Sequence, residues 1–173
     1  MQQDDLFSAA DVDLPVQPER VLMSLNPEYY DLIWQGLKRH EFRRRYLAGK
    51  PTTWFVYLTA PVSKLAAEID LDTAITDTPV RIAQIAEQAR VGNGASVYEY
   101  LKDLDRGFAI PIMRVREYAG FTSGELAEML GGFHPPQGYT LIDRHPDLAS
   151  VCDKLTATDV SRELAVEHAA STR

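Results

Sequence analysis

The stretch at residues 53–59 (TWFVYLT) places the strongest constraint on the fold of this chain. Nearly every residue in it is β-branched or aromatic, and polar residues do not alternate with apolar ones. This composition is typical of a strand, and the lack of alternation predicts a central strand whose two faces are both covered. Ala60 and Pro61 follow directly and are expected to end the strand.

A strand and a capped helix are predicted ahead of this stretch. Residues 21–25 (VLMSL) are short and apolar, which predicts a buried strand. Asn26 and Pro27 are typical of an N-cap and a first helical position, so a helix is expected to begin there. Gly36 is the residue at which a left-handed cap would end that helix.

The rest of the chain mixes short strands and short helices without regular alternation. The predicted elements are strands over residues 64–70, 107–115 and 139–142, and helices over residues 78–89, 96–104 and 123–130. Pro111 implies that the strand over 107–115 lies at an edge or contains a bulge. The pattern argues against a doubly wound sheet and predicts an α+β domain built on a small β-barrel or curled sheet, flanked by short helices.

Both ends of the chain differ in composition from its centre. We predict an acidic flexible arm over residues 1–18, a domain over residues 19–148 and a C-terminal helix or tail over residues 149–173. In the last segment, Val160 and Leu164 are the residues expected to pack.

Bulk properties exclude several classes of protein. The length of 173 residues suits one domain, and the net charge of −7 argues against charge-driven binding to nucleic acid or membrane over the whole surface. Cys152 is the one cysteine, which excludes an internal disulfide and fits a reducing compartment. Neither a signal peptide at the start nor an apolar run of about 20 residues is apparent, so we expect a cytoplasmic protein without a membrane partner. The oligomeric state is not predicted by any of these features.

Positive charge is concentrated in residues 38–50. This window holds six of the 18 Lys and Arg residues of the chain and a single acidic residue, Glu41. A strand is predicted over residues 41–46, in which Glu41, Arg43 and Arg45 point to one side and Arg44 points to the other. A solvated, salt-bridged strand would explain such a window. We favour an anion-binding site, because consecutive arginines after a capped helix offer planar groups suited to phosphates or base edges.

Other candidate sites are weaker. Glu41 could orient one of the arginines or act as a general base beside Lys38. The aromatic residues nearby could stack on bases, although core packing is the default for each of them; they are Tyr30, Trp34 and Tyr46.

The remaining motifs point to no cofactor. The four histidines and Cys152 lack the spacing of metal ligands, so no metal and no cofactor are predicted. Ser24 lacks the G-x-S-x-G context of a serine hydrolase, and residues 92–95 (GNGA) lack the Lys and Ser or Thr that end a phosphate-binding P-loop.

The order of several short segments resembles ASCH domains, which belong to the PUA-like superfamily. The opening residues 21–29 and the G-x-K-x-x-E-x-R element formed by Gly36, Lys38, Glu41 and Arg43 carry the likeness. Later segments fit in the same order and extend the likeness over about residues 20–145; they are residues 57–64, 100–101, 107–110 and 133–137.

The resemblance implies a small β-barrel with a cleft beside the first helix, lined by the G-x-K-x-x-E-x-R element. The family is proposed to bind RNA there, and some relatives are reported as ribonucleases. Other bacterial relatives hydrolyse acetylated cytidine with a Lys, a Thr three residues later and a distant Glu; here Glu41 stands three residues after Lys38. Ala67 is a further difference, since many relatives have Gly at that position.

Three functions are compatible with these features, and whether the protein is an enzyme stays open. The first is an RNA- or nucleotide-binding cleft formed by Ser24, Lys38, Glu41, Arg43, Arg44, Arg45 and Thr59. The second is a small hydrolase acting on a modified nucleoside or RNA, with Lys38 and Glu41 as its catalytic pair. The third is a regulatory domain whose basic strand meets an acidic protein partner or the acidic arm of the same chain.

Overall fold

The computed structural model describes residues 17–47 and 49–168, which contain eight strands and five α-helices. The strands are β1 (Glu19–Leu25), β2 (His40–Arg43), β3 (Thr52–Leu58), β4 (Lys64–Leu71), β5 (Ile75–Asp77), β6 (Gly107–Thr122), β7 (Tyr139–Leu141) and β8 (Val160–Ala165). The helices are α1 (Pro27–Trp34), α2 (Pro79–Ala89), α3 (Asn93–Leu101), α4 (Ser123–Leu130) and α5 (Pro146–Thr156).

All eight strands belong to one mixed sheet that curls into a half-barrel, which confirms the predicted α+β class. The strand order is β2-β6-β4-β3-β1-β7, and β5 and β8 also pair with β6. Strands β1 and β3 run parallel, and the other pairs are antiparallel.

The central strand is covered on both faces, as its composition predicts. Trp54 and Val56 of β3 belong to one hydrophobic core, while Phe55 and Tyr57 belong to a second. Residues of α1 complete the first core, and residues of α4 and α5 complete the second. Because successive strand residues point to opposite faces, a strand between two cores has no need of polar positions.

Helix α1 begins and ends where the local sequence predicts. The side chain of Asn26 accepts a hydrogen bond from the Glu28 N–H, and Pro27 is the first helical residue. After the last turn, Gly36 adopts a φ of 78°, a conformation that side chains with a Cβ rarely adopt.

The strand predicted over residues 41–46 is shorter in the structure. Strand β2 ends at Arg43, and Arg44 and Arg45 lie in a bend. The bend turns Tyr46 into the first core, where its hydroxyl hydrogen-bonds the side chain of Thr52. Burial of an aromatic ring therefore outweighs continuation of the strand.

The predictions for residues 92–115 are also partly wrong. Helix α3 begins at Asn93, three residues before the predicted start, because Gly92 with a φ of 90° caps it. Strand β6 lies inside the sheet, so Pro111 is not at an edge. The alternative of a bulge is confirmed, since the register between β4 and β6 shifts next to Leu71.

The C-terminal part was predicted incompletely. Residues 149–173 were expected to form a helix or tail in which Val160 and Leu164 pack, yet residues 160–165 form β8 on the edge of β6, where Val160 is exposed. The predicted strand over 139–142 is β7, but it is not the last strand, and the short strand β5 was not predicted. Helix α5 and Val166 pack against the cores, so packed structure continues past residue 148. The domain boundaries stay predictions, and residues 1–16 of the predicted arm lie outside the described residues.

Candidate functional site

A cleft of about 380 Å³ opens between the sheet and the pair of helices α2 and α3. One wall is formed by the end of β1, the beginning of α1 and strand β2. The turn between α2 and α3 and the exposed side of α3 form the other wall. A volume of this size lies within the range of pockets that hold small organic ligands, about 300–1,000 Å³.

Lys38, Glu41 and Arg43 form a charged cluster in the first wall. The N–H groups of Leu37 and Lys38 both donate to the Leu32 carbonyl, which fixes the chain between α1 and β2. The Lys38 Nζ lies 3.4 Å from Glu41 Oε2, and the Arg43 Nε lies 3.3 Å from Glu41 Oε1. Only 6% of Glu41 is exposed, so its carboxylate is a buried charge held between two cations.

Both cations of this cluster are braced by neighbouring groups. The Lys38 Nζ lies 5.8 Å from the ring centroid of Tyr29 and 5.3 Å from that of Phe42. Arg43 donates a 2.9 Å hydrogen bond to the Ser24 carbonyl, and its guanidinium lies over the Trp54 ring. These contacts limit the rotamers of both side chains and so preorganise their charges.

The cluster retains unused hydrogen-bonding capacity. Within the ranges that the structure describes, the buried atoms Glu41 Oε2 and Arg43 Nε have no hydrogen-bond partner. A buried polar atom left in this state costs about 1–3 kcal/mol. A ligand donor that reaches Glu41 would add a hydrogen bond to the ion-pair contacts that the carboxylate already makes with Lys38 and Arg43.

The second wall contributes residues that the sequence did not indicate. Arg90 donates a 3.1 Å hydrogen bond to Asn93 Oδ1, and both residues line the cleft together with Ser96 and Tyr100. The Arg90 Nε is buried and lacks a hydrogen-bond partner among the described residues. Its position beside the glycines at residues 92 and 94 was the one available signal.

The N-terminus of α3 is already occupied by a carboxylate of the chain. Glu87 accepts hydrogen bonds from the Gly92 and Gly94 N–H groups, each at a shortest distance of 2.9 Å. These backbone bonds lower the pKa of Glu87. The positive charge in this wall therefore comes from the Arg90 side chain and not from the helix end.

Of the seven predicted binding residues, Ser24, Lys38, Glu41 and Arg43 line the cleft. The Ser24 hydroxyl donates to the Pro136 carbonyl at 2.8 Å, which leaves its oxygen as an acceptor. The cleft lining thus contains three cations, Lys38, Arg43 and Arg90, and one carboxylate, that of Glu41.

The other three predicted residues do not line the cleft. Arg44 makes two 2.7 Å hydrogen bonds to Asp103 and a 2.6 Å bond to the Tyr100 carbonyl, so it fastens β2 to the end of α3. Arg45 is exposed in the bend after β2. Thr59 follows β3, where its N–H donates to the Leu25 carbonyl. The binding roles of all seven residues stay predictions.

His40 lies next to this cluster in sequence and adds no charge to it at neutral pH. Burial, followed by the nearby charges of His168, Lys38 and Arg39, lowers the pKa of His40 to about 4. Its ring packs against His168, with 5.1 Å between the ring centroids.

Neither a metal-binding cluster nor a membrane-spanning helix occurs among the residues that the structure describes. Residues 17–47 and 49–168 contain no group of three or more His, Cys, Asp or Glu side chains placed to hold a metal ion. No helix in these ranges has both the length and the apolar character needed to cross a bilayer.

The domain is a curled mixed sheet with helices on both sides and a charged cleft beside α1. Three crystal structures from Zymomonas mobilis have this fold. A serine-to-alanine mutant of its ASCH protein matches with a TM-score of 0.69 at 19% identity, covering 83% of this chain and 99% of that one. A structure described as ASCH matches with a TM-score of 0.60 at 22% identity, covering 77% and 95%. A tyrosine-to-phenylalanine mutant matches with a TM-score of 0.63 at 20% identity, covering 82% and 99%.

The chain therefore has the ASCH domain fold, which confirms the resemblance seen in the sequence. No family model and no curated protein matches the sequence. The structural similarity to these proteins establishes the fold. At about 20% sequence identity it does not establish the activity of this chain.

Proposed function

We propose that the cleft binds a nucleotide, either free or as one unit of an RNA chain. The observation that carries this proposal is the buried cluster of Lys38, Glu41 and Arg43, whose charges are held rigidly at the wall of a cleft of nucleotide size. Burying such a cluster costs free energy, and charged residues that serve only solubility would remain exposed to solvent.

The groups in the cleft match the parts of a nucleotide. Lys38 and Arg90 supply positive charge for a phosphate, and Arg43 holds the Glu41 carboxylate in place. Glu41 Oε2 can accept a hydrogen bond from a base N–H or a ribose hydroxyl. Apolar side chains of the lining, Leu25 and Val97 among them, offer surface to the base.

Binding is tested by titrating the protein with a random-sequence RNA pool at several salt concentrations. We expect the affinity to fall as salt rises, with a slope of about −0.7 for each phosphate contacted on a single strand. Lys38→Ala and Arg90→Ala should each weaken binding and make the slope shallower by about that amount. Lys50→Ala is the matched control, since Lys50 carries the same charge but lies outside the cleft lining and half exposed.

Two outcomes would overturn the proposal. One is the absence of binding at low salt; the other is an equal loss of affinity in Lys38→Ala and Lys50→Ala. Binding of polyaspartate in place of RNA would favour the third function, an acidic protein partner.

The second candidate function, a small hydrolase, is favoured by one distance. The Lys38 Nζ lies 3.4 Å from Glu41 Oε2, so a small approach of the two groups on substrate binding would let the carboxylate exchange a proton with the amine. Turnover of acylated cytidine and of RNA, each compared with the Lys38→Ala protein, tests this candidate. Activity that persists in Lys38→Ala would exclude the pair as the catalytic centre.

A further inference from the structure

Two exposed tyrosines lie at the mouth of the cleft. Tyr29 of α1 is 50% exposed and Tyr100 of α3 is 44% exposed, and both line the cleft from opposite walls. Leu37, which also lines the cleft, is 39% exposed. Single exposed apolar residues are common, but three around one charged opening form a patch that indicates a binding surface.

Each of these tyrosines is braced by a cation. The Lys38 Nζ lies 5.8 Å from the Tyr29 ring centroid, and the Arg44 guanidinium carbon lies at the same distance from the Tyr100 ring centroid. Arg44 also bonds the Tyr100 carbonyl at 2.6 Å, which fixes the backbone beneath the ring. A braced ring loses little conformational entropy when a flat group stacks on it.

The cleft itself is too small for more than a short ligand. A volume of about 380 Å³ is near the lower limit for small-ligand pockets and suits one nucleotide. In a strand bound by that nucleotide, the neighbouring bases would lie outside the cleft, at its mouth. The aromatic rings of Tyr29 and Tyr100 are placed there, each beside one cation.

We propose that the ligand is a single-stranded RNA segment, bound with one nucleotide in the cleft and flanking bases stacked on Tyr29 and Tyr100. This inference rests on the proposed function and narrows it, because it distinguishes a strand from a free nucleotide. Base–aromatic stacking is tolerant of sequence, so the tyrosines would add affinity for any strand with suitable phosphate positions.

The test compares three ligands that share the central nucleotide and its two phosphates but differ in what flanks them. They are a trinucleotide, the same trinucleotide with abasic flanking positions, and the nucleoside 3′,5′-bisphosphate of the central unit, each prepared with A, C and U. We expect the full trinucleotide to bind at least tenfold more tightly than the abasic one, which carries the same phosphates. The abasic trinucleotide and the bisphosphate should differ little from each other.

Variants of the two tyrosines should reduce the difference in affinity between the full and the abasic trinucleotide. Tyr100→Ala and Tyr29→Ala should each weaken trinucleotide binding about tenfold more than they weaken bisphosphate binding. Tyr100→Phe should restore the affinity, since a phenyl ring stacks without the hydroxyl. Tyr98→Ala is the matched control: Tyr98 is on the same helix and 41% exposed, but it lies outside the cleft lining.

The outcomes separate this inference from the proposed function. Equal binding of the full and the abasic trinucleotides, or an equal effect of Tyr98→Ala and Tyr100→Ala, would refute the stacking and leave the nucleotide site in place. Failure of all three ligands to bind the wild-type protein would overturn both. An acidic peptide that binds with dependence on Tyr100 would identify a protein ligand and also refute the proposal.

Discussion

Replacing Glu41 by Gln tests whether the buried cluster is held together by charge. The substitution keeps the volume and shape of the side chain, so it creates no cavity. It removes the one negative charge between Lys38 and Arg43, and it can turn an amide N–H toward a cation. The two cations would then be partly buried without compensation.

The structure sets the size of the effect. Removing one partner of a fully buried ion pair costs about 3–5 kcal/mol. Here the side chains of Lys38 and Arg43 remain 12% and 15% exposed at the cleft, so water can solvate them in part. We therefore expect Glu41→Gln to lower the free energy of unfolding by about 2 kcal/mol.

Urea denaturation at neutral pH measures this loss. With a slope of about 2 kcal/mol per molar urea, the unfolding midpoint should fall by about 1 M while the slope stays constant. Glu99→Gln is the control, because Glu99 forms a 2.6 Å pair with Lys102 in which both side chains are more than half exposed. That variant should unfold at the wild-type midpoint.

A midpoint for Glu41→Gln that equals the wild-type value would refute the reasoning. It would mean that water in the cleft already screens the three charges. A second measurement checks the cause: adding Lys38→Met to Glu41→Gln should recover part of the loss, since one of the uncompensated cations is gone.

Two further predictions concern pH and packing. The folded pKa of His40, about 4, lies below the ordinary value of 6.5, so the unfolded chain takes up a proton first as the pH falls. The neutral His40 side chain therefore contributes about 3 kcal/mol to the free energy of unfolding above pH 6.5, and this contribution is lost as the pH falls toward 4. The urea midpoints at pH 7 and pH 4.5 should consequently differ less in His40→Gln than in wild type. Gly94→Ala should destabilise the protein by about 1–3 kcal/mol, because a Cβ there would lie 2.9 Å from the Ala83 carbonyl. In thermal unfolding, Gly124→Ala should show no loss, since the nearest atom to its Cβ is 3.9 Å away; a loss equal to that of Gly94→Ala would contradict the packing argument.

The parts of the fold that local chemistry determines were predicted from the sequence. Asn26, Pro27 and Gly36 act through their own backbone preferences, so the bounds of α1 follow from neighbouring residues alone. The same holds for the burial of β3, whose composition excludes a solvent-facing strand. The placement of Lys38, Glu41 and Arg43 in one cleft wall follows from that helix end and from the two-residue period of β2.

The parts that depend on distant packing were not predicted. Residues 160–165 (VSRELA) are mostly exposed and lack a regular apolar alternation, and they form a strand because β6 offers an unpaired edge. Arg90 and Tyr100 reach the cleft because α2 and α3 fold back over β2, and no local pattern reports that contact. The end of β2 at Arg43 likewise depends on core space for Tyr46, which the sequence does not show.

The side chains that hold the first wall in place come from far along the chain. The Ser24 hydroxyl hydrogen-bonds the Pro136 carbonyl, 112 positions further along the chain. The Arg162 guanidinium of β8 pairs with Glu117 and lies 3.9 Å from the ring centroid of Trp34 in α1. Contacts between segments this far apart cannot form until both segments are present, and closing the loop between them costs conformational entropy. On the ribosome, the wall that carries Tyr29 would therefore be completed only after β8 has been synthesised, so a nascent chain would not acquire its ligand before that point.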